Sequence, residues 1–153
     1  LAYVGDSRIY RLRNGGIERL TSDHTFAAEV AKLGFLTEDQ VRGGPYAKTL
    51  VRALGASEDR ADVASFSVAG GDRFLLCTDG LTDYLGTDGD LVAALQGSVD
   101  EAGDGLIEFA NAAGGADNVT VVLIDIVEDE TASEFAAYSS VVDTLTSTAD
   151  ATV

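Results

Sequence analysis

The sequence predicts a single α+β domain built on antiparallel strands. Three observations lead there. An apolar strand pattern stops at Asn14-Gly15 and resumes beyond it, which is the signature of a tight hairpin. Two further apolar runs, "RFLLCT" and "VTVVLIDIV", have the length and β-branched content of strands. Between them the apolar spacing changes to three and four residues, as in helices packed by one face. At 153 residues the chain fits one domain, and a chain of that size buries roughly 70% of its unfolded surface.

The elements follow in order. "LAYVGDSRIYRL" reads as one strand carrying Asp6, and "IERL" as its hairpin partner. In "TSDHTFAAEVAKLG" the residues Phe26, Val30 and Leu33 fall at i, i+4 and i+7, with Ser22 or Asp23 placed to cap and Gly34 to stop the helix. Residues 35–60 are polar and broken by Gly43, Gly44 and Pro45, which reads as a loop or flap. "ADVASFSVAGGDRFLLCTDG" predicts two strands around "AGGD", the second ending at Thr78 or Asp79. Helices are expected over 88–96 and 98–113. The second has Ser98 and Glu101 in capping-box spacing and a buried stripe of Ala102, Leu106, Phe109 and Ala113. The run from Val119 to Val127 is apolar enough for a strand covered on both faces. Residues 128–153 carry six acids and no base, an acidic Ser/Thr-rich tail in which Phe135, Tyr138, Val142 and Leu145 would share one face of a helix near 132–146.

Charge narrows the function. Ten basic residues against 26 acidic ones give a net charge of -16, which disfavours nucleic acid and anionic lipid and favours cations as ligands. One cysteine excludes an internal disulfide, and no run reaches the length of a membrane span, so a cytoplasmic setting is expected. The chain starts at Leu1 inside a strand pattern and has no methionine, so an N-terminal part is expected to be missing.

The chemistry-bearing residues are acids. Asp79 follows one apolar strand and Asp117 precedes another, so antiparallel pairing brings both to the same sheet edge, with Gly80, Gly114 and Gly115 allowing close approach. Asp83 lies four residues beyond Asp79, and Asp6 projects from a third strand. Carboxylates gathered this way repel unless a cation lies among them, and hard oxygen ligands suit Mg²⁺ or Mn²⁺ rather than zinc. Other readings fare worse. Gly-Asp-Ser at 5–7 could open a serine esterase site, but the only histidine, His24, comes too early to serve Ser7 as base. A cysteine-phosphatase loop from Cys77 needs Arg six residues on, where Asp83 stands. "CTDGL" has the wrong order for an aspartic protease and occurs once. His24 reads as a residue that caps or packs beside its helix.

Taken together, "VGDSRIYRL", "LTSDHT", "LVRALG", "DRFLLCTDGLTDYL" and "GGADNVTVVLIDI" resemble the ordered C-terminal motifs of the metal-dependent protein Ser/Thr phosphatases, the protein phosphatase 2C (PPM) family, in its bacterial form. The resemblance implies two antiparallel sheets packed as a sandwich with helices outside, incomplete at the N-terminus, over residues 1–127. It implies hydrolysis of phosphoserine and phosphothreonine in proteins by a metal-activated water, with Asp79 and Asp117 as ligands of a two-ion site. Asp6, with Asp79 and Asp83, would form a third, weaker site near the flap, and Asn118 would support the ligands from behind. The family's phosphate-holding arginine, its N-terminal acidic pair and its Asp-Gly-x-Gly-Gly loop do not occur in this sequence. The expected partners are phosphorylated proteins, acted on by a monomer. The competing readings are a non-catalytic interaction domain of the same fold and a phosphatase of anti-anti-sigma factors.

Overall fold

The computed structural model describes residues 1–128 apart from 35, 38, 39, 42 and 43; the expected helix near 132–146 lies outside the described residues. Strands and helices run in the order β1 (Ala2–Tyr3), β2 (Arg8–Arg13), β3 (Gly16–Arg19), α1 (Phe26–Lys32), β4 (Asp62–Val63), β5 (Arg73–Cys77), α2 (Asp79–Thr82), α3 (Asp88–Ala94), α4 (Val99–Ala112) and β6 (Val121–Asp125). They form two antiparallel sheets, a four-stranded one in the order β3-β2-β5-β6 and a two-stranded one of β1 and β4.

The hairpin of β2 and β3 turns at Asn14 and Gly15, both at positive φ (52° and 75°), as a two-residue turn matched to strand twist requires. The expected single strand over 1–12 is in fact two. Gly5 takes φ 103°, a value costly for any residue with a Cβ, and there the chain leaves the small sheet for the large one. Asp6 and Ser7 therefore lie in a bend, and Ser7 is exposed. The expected hairpin around "AGGD" is corrected for the same reason: β4 pairs with β1 (Tyr3 opposite Asp62) and β5 with β2 and β6.

One face of the large sheet carries the core. Tyr10, Leu75 and Cys77 pack against Leu81 of α2, Leu91 of α3, its neighbour Leu95, and Leu106 and Ala110 of α4. Leu75, Leu81 and Leu106 are wholly buried, each burial being worth about 1.5–3 kcal/mol. The expected capping box of Ser98 with Glu101 forms, and a second, of Thr87 with Asp90, starts α3. The buried stripe of α4 is Ala102, Leu106 and Ala110; Phe109 is turned out, 43% exposed, and Ala113 falls at the C-cap. At the far end of the sheet, the buried Asp72 carboxylate accepts from the Arg13 guanidinium at 2.5 and 2.6 Å and from the Ala69 amide at 2.9 Å.

The opposite face of the sheet is less covered. β6 is an edge strand, and Val122 and Ile124 are 47% and 44% exposed, against the expectation of cover on both sides. Phe66 shields part of this face by tilting onto Phe74, ring centroids 5.5 Å apart.

α1 also departs from its reading. Its cap is Thr25, whose Oγ1 accepts from the Ala28 amide, because Asp23 is engaged by Arg8 instead. Ala27 and Ala28 face inward, leaving Phe26 and Leu33 exposed. The amides of Phe26 and Ala27, which no helical carbonyl can satisfy, donate to the Thr49 and Ala47 carbonyls at 2.9 and 3.1 Å. Residues 47–52 of the expected flap are thus docked on the start of α1. No helix among the described residues is long and apolar enough to cross a membrane.

Candidate active site

The junction of β5 and β6 brings the two acidic loops together. The Thr78 amide donates to the Thr120 carbonyl at 3.1 Å, and the Thr78 hydroxyl donates to the Asn118 carbonyl at 3.2 Å while accepting from the Thr120 amide. Asp79 and Asp117 each lie one residue beyond this cross-link, Asp79 in the first turn of the short α2, which the sequence did not suggest. Gly80 presses on Asn118 so closely that a Cβ there would stand 2.4 Å from the Asn118 carbonyl oxygen. Asp117 and Asn118 are exposed, and Asn118 meets its neighbour through the backbone: its amide donates to Asp117 Oδ1 at 2.7 Å. Tyr84 holds the loop before them, its hydroxyl accepting from the Ala116 amide at 3.1 Å.

Asp6, Asp79 and Asp83 line one pocket, together with Arg8, Asp23 and Lys48; Asp117 is not part of that lining. Burial, then the charge of Asp79, pushes the Asp6 carboxyl above its usual range. Arg8 does little to relieve this, since its guanidinium is spent on Asp23, with contacts of 2.7, 3.0 and 3.1 Å. Burial works against the Arg8 charge, but the hydrogen bonds to Asp23 and Tyr10 outweigh it and hold that charge firmly. Lys48 reaches in from the docked segment, its ammonium donating to Asp83 at 2.5 Å. Neither Lys48 nor the Arg8 to Asp23 pair was singled out in the sequence, because their partners lie 35 and 15 residues away.

The donor set suits a hard divalent cation in kind: carboxylate oxygens, one of them under pressure from a like charge that a cation would relieve. It is short in number. Among the described residues no three His, Cys, Asp or Glu side chains gather closely enough to hold an ion alone.

The comparisons with known proteins agree on one group. Over 129 residues the chain is 39% identical to the serine/threonine protein phosphatase PstP of Mycobacterium tuberculosis, covering 84% of this chain and 25% of that protein. It is 37% identical over 128 residues to the serine/threonine phosphatase Stp of Listeria welshimeri, covering 82% and 50%. Among solved structures, the Streptococcus agalactiae serine/threonine phosphatase superposes with a TM-score of 0.75 at 35% identity, covering 83% of this chain and 53% of that one. The PPM Ser-Thr phosphatase MsPP of Mycobacterium smegmatis superposes with a TM-score of 0.72 at 38% identity, covering 82% and 54%. The chain belongs to the PPM family of Ser/Thr protein phosphatases.

No family model matches. The PPM chain spans about half the length of the Listeria relative it matches and a quarter of PstP. The catalytic domain of PstP has been solved in complex with two manganese ions, at a TM-score of 0.71 to this chain. Both sheets and the outer helices expected of the family are present.

Cys77 takes no part in the acidic pocket. Its thiol is buried and burial pushes its pKa up to about 12, so almost no thiolate exists near neutral pH. At pH 8 the folded protein should therefore resist iodoacetamide and react only once unfolded in urea; stoichiometric labelling of the folded form, read by mass spectrometry, would contradict the buried placement.

Proposed function

We propose that this chain supplies the Asp79 and Asp117 side of the active site of a metal-dependent protein phosphatase, hydrolysing phosphoserine and phosphothreonine in proteins. One observation carries the reading: the Thr78, Asn118 and Thr120 cross-link, which delivers two carboxylates to one sheet edge beside the pocket of Asp6 and Asp83.

Divalent cations held there would lower the pKa of water and offset the charge that develops in phosphoryl transfer. The chain's own residues do the holding. Asp79 and Asp117 would be ligands of a two-ion site, and Asp6 with Asp83 would contribute to a third, weaker one, with Asp79 shared. Asn118 orients Asp117 through its amide. Arg8 fixes Asp23 against the pocket wall, so that wall carries one carboxylate already neutralised. Lys48 holds Asp83 until a cation competes for it. Mn²⁺ or Mg²⁺ fits this donor chemistry equally well. Remaining ligands and a phosphate-holding cation must come from outside residues 1–128. The domain assignment follows: 1–127 as part of the phosphatase domain, 128–153 as an acidic tail. The charge of -16 disfavours nucleic acid as a partner, the phosphatase relatives support phosphoproteins as substrates, and a monomer in the cytoplasm is the expected setting.

The test uses the full-length protein and a phosphothreonine peptide. Hydrolysis should require Mn²⁺ or Mg²⁺, stop on chelation and survive iodoacetamide. Turnover in excess chelator, or none with either metal, would overturn the reading and leave the non-catalytic interaction domain in its place.

A further inference from the structure

We propose that His24 is a positioning residue for Asp6, clamping the Gly5 to Asp6 bend and tying it to the docked segment 47–52; this rests on the reading of Asp6 as a metal ligand. His24 is the chain's one histidine and is wholly buried. It holds both polar groups of the Gly5 backbone. The His24 amide donates to the Gly5 carbonyl at 3.0 Å, and the Gly5 amide donates to His24 Nδ1 at 3.1 Å. A backbone N–H can only donate, so Nδ1 is the bare acceptor and the ring proton lies on Nε2. From there it is given to Asp62 Oδ2, 3.1 Å away.

Asp62 is itself fixed. Arg52 donates to its two oxygens at 2.7 and 3.3 Å, and the His24 carbonyl accepts from the Val51 amide at 2.9 Å. The Tyr3 ring stacks on the imidazole, centroids 5.1 Å apart and planes 12° apart. One residue, by its ring and its backbone carbonyl, thus joins the bend before Asp6, strand β4 and the segment that delivers Lys48 to Asp83. The bend needs such a clamp because Gly5, at φ 103°, is the residue with the most conformational freedom in the connection. Packing alone would accept a leucine there. The bonds would not, since a leucine leaves the buried Gly5 amide without its acceptor.

The ring is read directly in the full-length protein, its ¹⁵N signals identified by their absence from His24→Asn. In the metal-free full-length protein, the ¹⁵N shifts of His24 should report an unprotonated Nδ1 and a protonated Nε2. Calorimetric titration with Mn²⁺ should then resolve a weaker ion that Asp6→Asn abolishes. His24→Ala should raise the Kd of that ion by about tenfold or more, as loss of an orienting partner does, and leave the tighter ions within about threefold. His24→Asn, whose Oδ1 can take the place of Nδ1 as acceptor for Gly5, should recover most of the affinity. His24→Gln, which keeps only the reach towards Asp62, should not. These two variants carry the decision if His24→Ala does not fold. An Nδ1-protonated ring, an unchanged weaker Kd in His24→Ala, or equal behaviour of the Asn and Gln variants would overturn the proposal. Failure of the underlying reading has a different sign: no Mn²⁺ ion in the wild type sensitive to Asp6→Asn.

Discussion

Asp79→Asn and Asp117→Asn are each expected to lower kcat/KM of the full-length protein on a phosphothreonine peptide by about three orders of magnitude or more. The substitution keeps side-chain shape and removes one negative charge, so the cross-link from the Thr78 hydroxyl to Asn118 and Thr120 should survive. On the proposed reading, what is lost is charge that would hold a divalent cation, and with it the depressed pKa of water on which attack near neutral pH would depend. Excess Mn²⁺ should restore part of the rate if the defect is affinity. Asp83→Asn should cost far less, since its carboxylate is shared with Lys48 and is assigned in the proposal to the weaker site. Thermal melts within a few degrees of the wild type would separate loss of chemistry from loss of fold. Retention of activity within tenfold in either the Asp79 or the Asp117 variant would remove that residue from the site.

Local signals were legible in the sequence and long-range ones were not. Asn14-Gly15 and the Ser98 to Glu101 capping box involve residues at most three apart, and both formed as expected. That Asp79 and Asp117 fall at one sheet edge was legible too, because strand ends follow from antiparallel pairing once both strands are recognised. The split at Gly5 was hidden, since a glycine inside an apolar run does not announce which sheet each half will join. The cap of α1 was misread because Ser22, Asp23 and Thr25 are all competent, and the choice was made by Arg8, fifteen residues away in sequence. Phe109 and Ile124 look like core residues by type. Their exposure reflects how much sheet and helix surface the chain itself covers, which no spacing rule records. Lys48 could not be assigned because its partner Asp83 is met only through the docking of 47–52 on α1.

Gly80→Ala is expected to damage both fold and activity, although alanine is the better helix former by up to about 1 kcal/mol. Gly80 is buried in the first turn of α2, directly after Asp79. A Cβ there would stand 2.4 Å from the Asn118 carbonyl oxygen and 3.0 Å from its carbon. Those are backbone atoms, so no rotamer change relieves the clash; the strand end bearing Asn118 must move. Overpacking of this kind costs about 1–3 kcal/mol, more than the helix propensity returns. The displacement falls between Asp79 and Asp117, the ligands of the proposal, and a shift of about 1 Å at a reacting centre can cost about a hundredfold in rate. The variant should therefore melt several degrees lower and turn over about a hundredfold more slowly at saturating metal. Gly105→Ala on α4 is the matched control. Nothing lies within 4 Å of the Cβ it adds, so the same chemical change in an open helix interior should raise stability by about 0.5–1 kcal/mol and leave the rate alone. A Gly80→Ala protein as stable and as active as Gly105→Ala would mean that the close approach of α2 to Asn118 is not what sets Asp79 against Asp117.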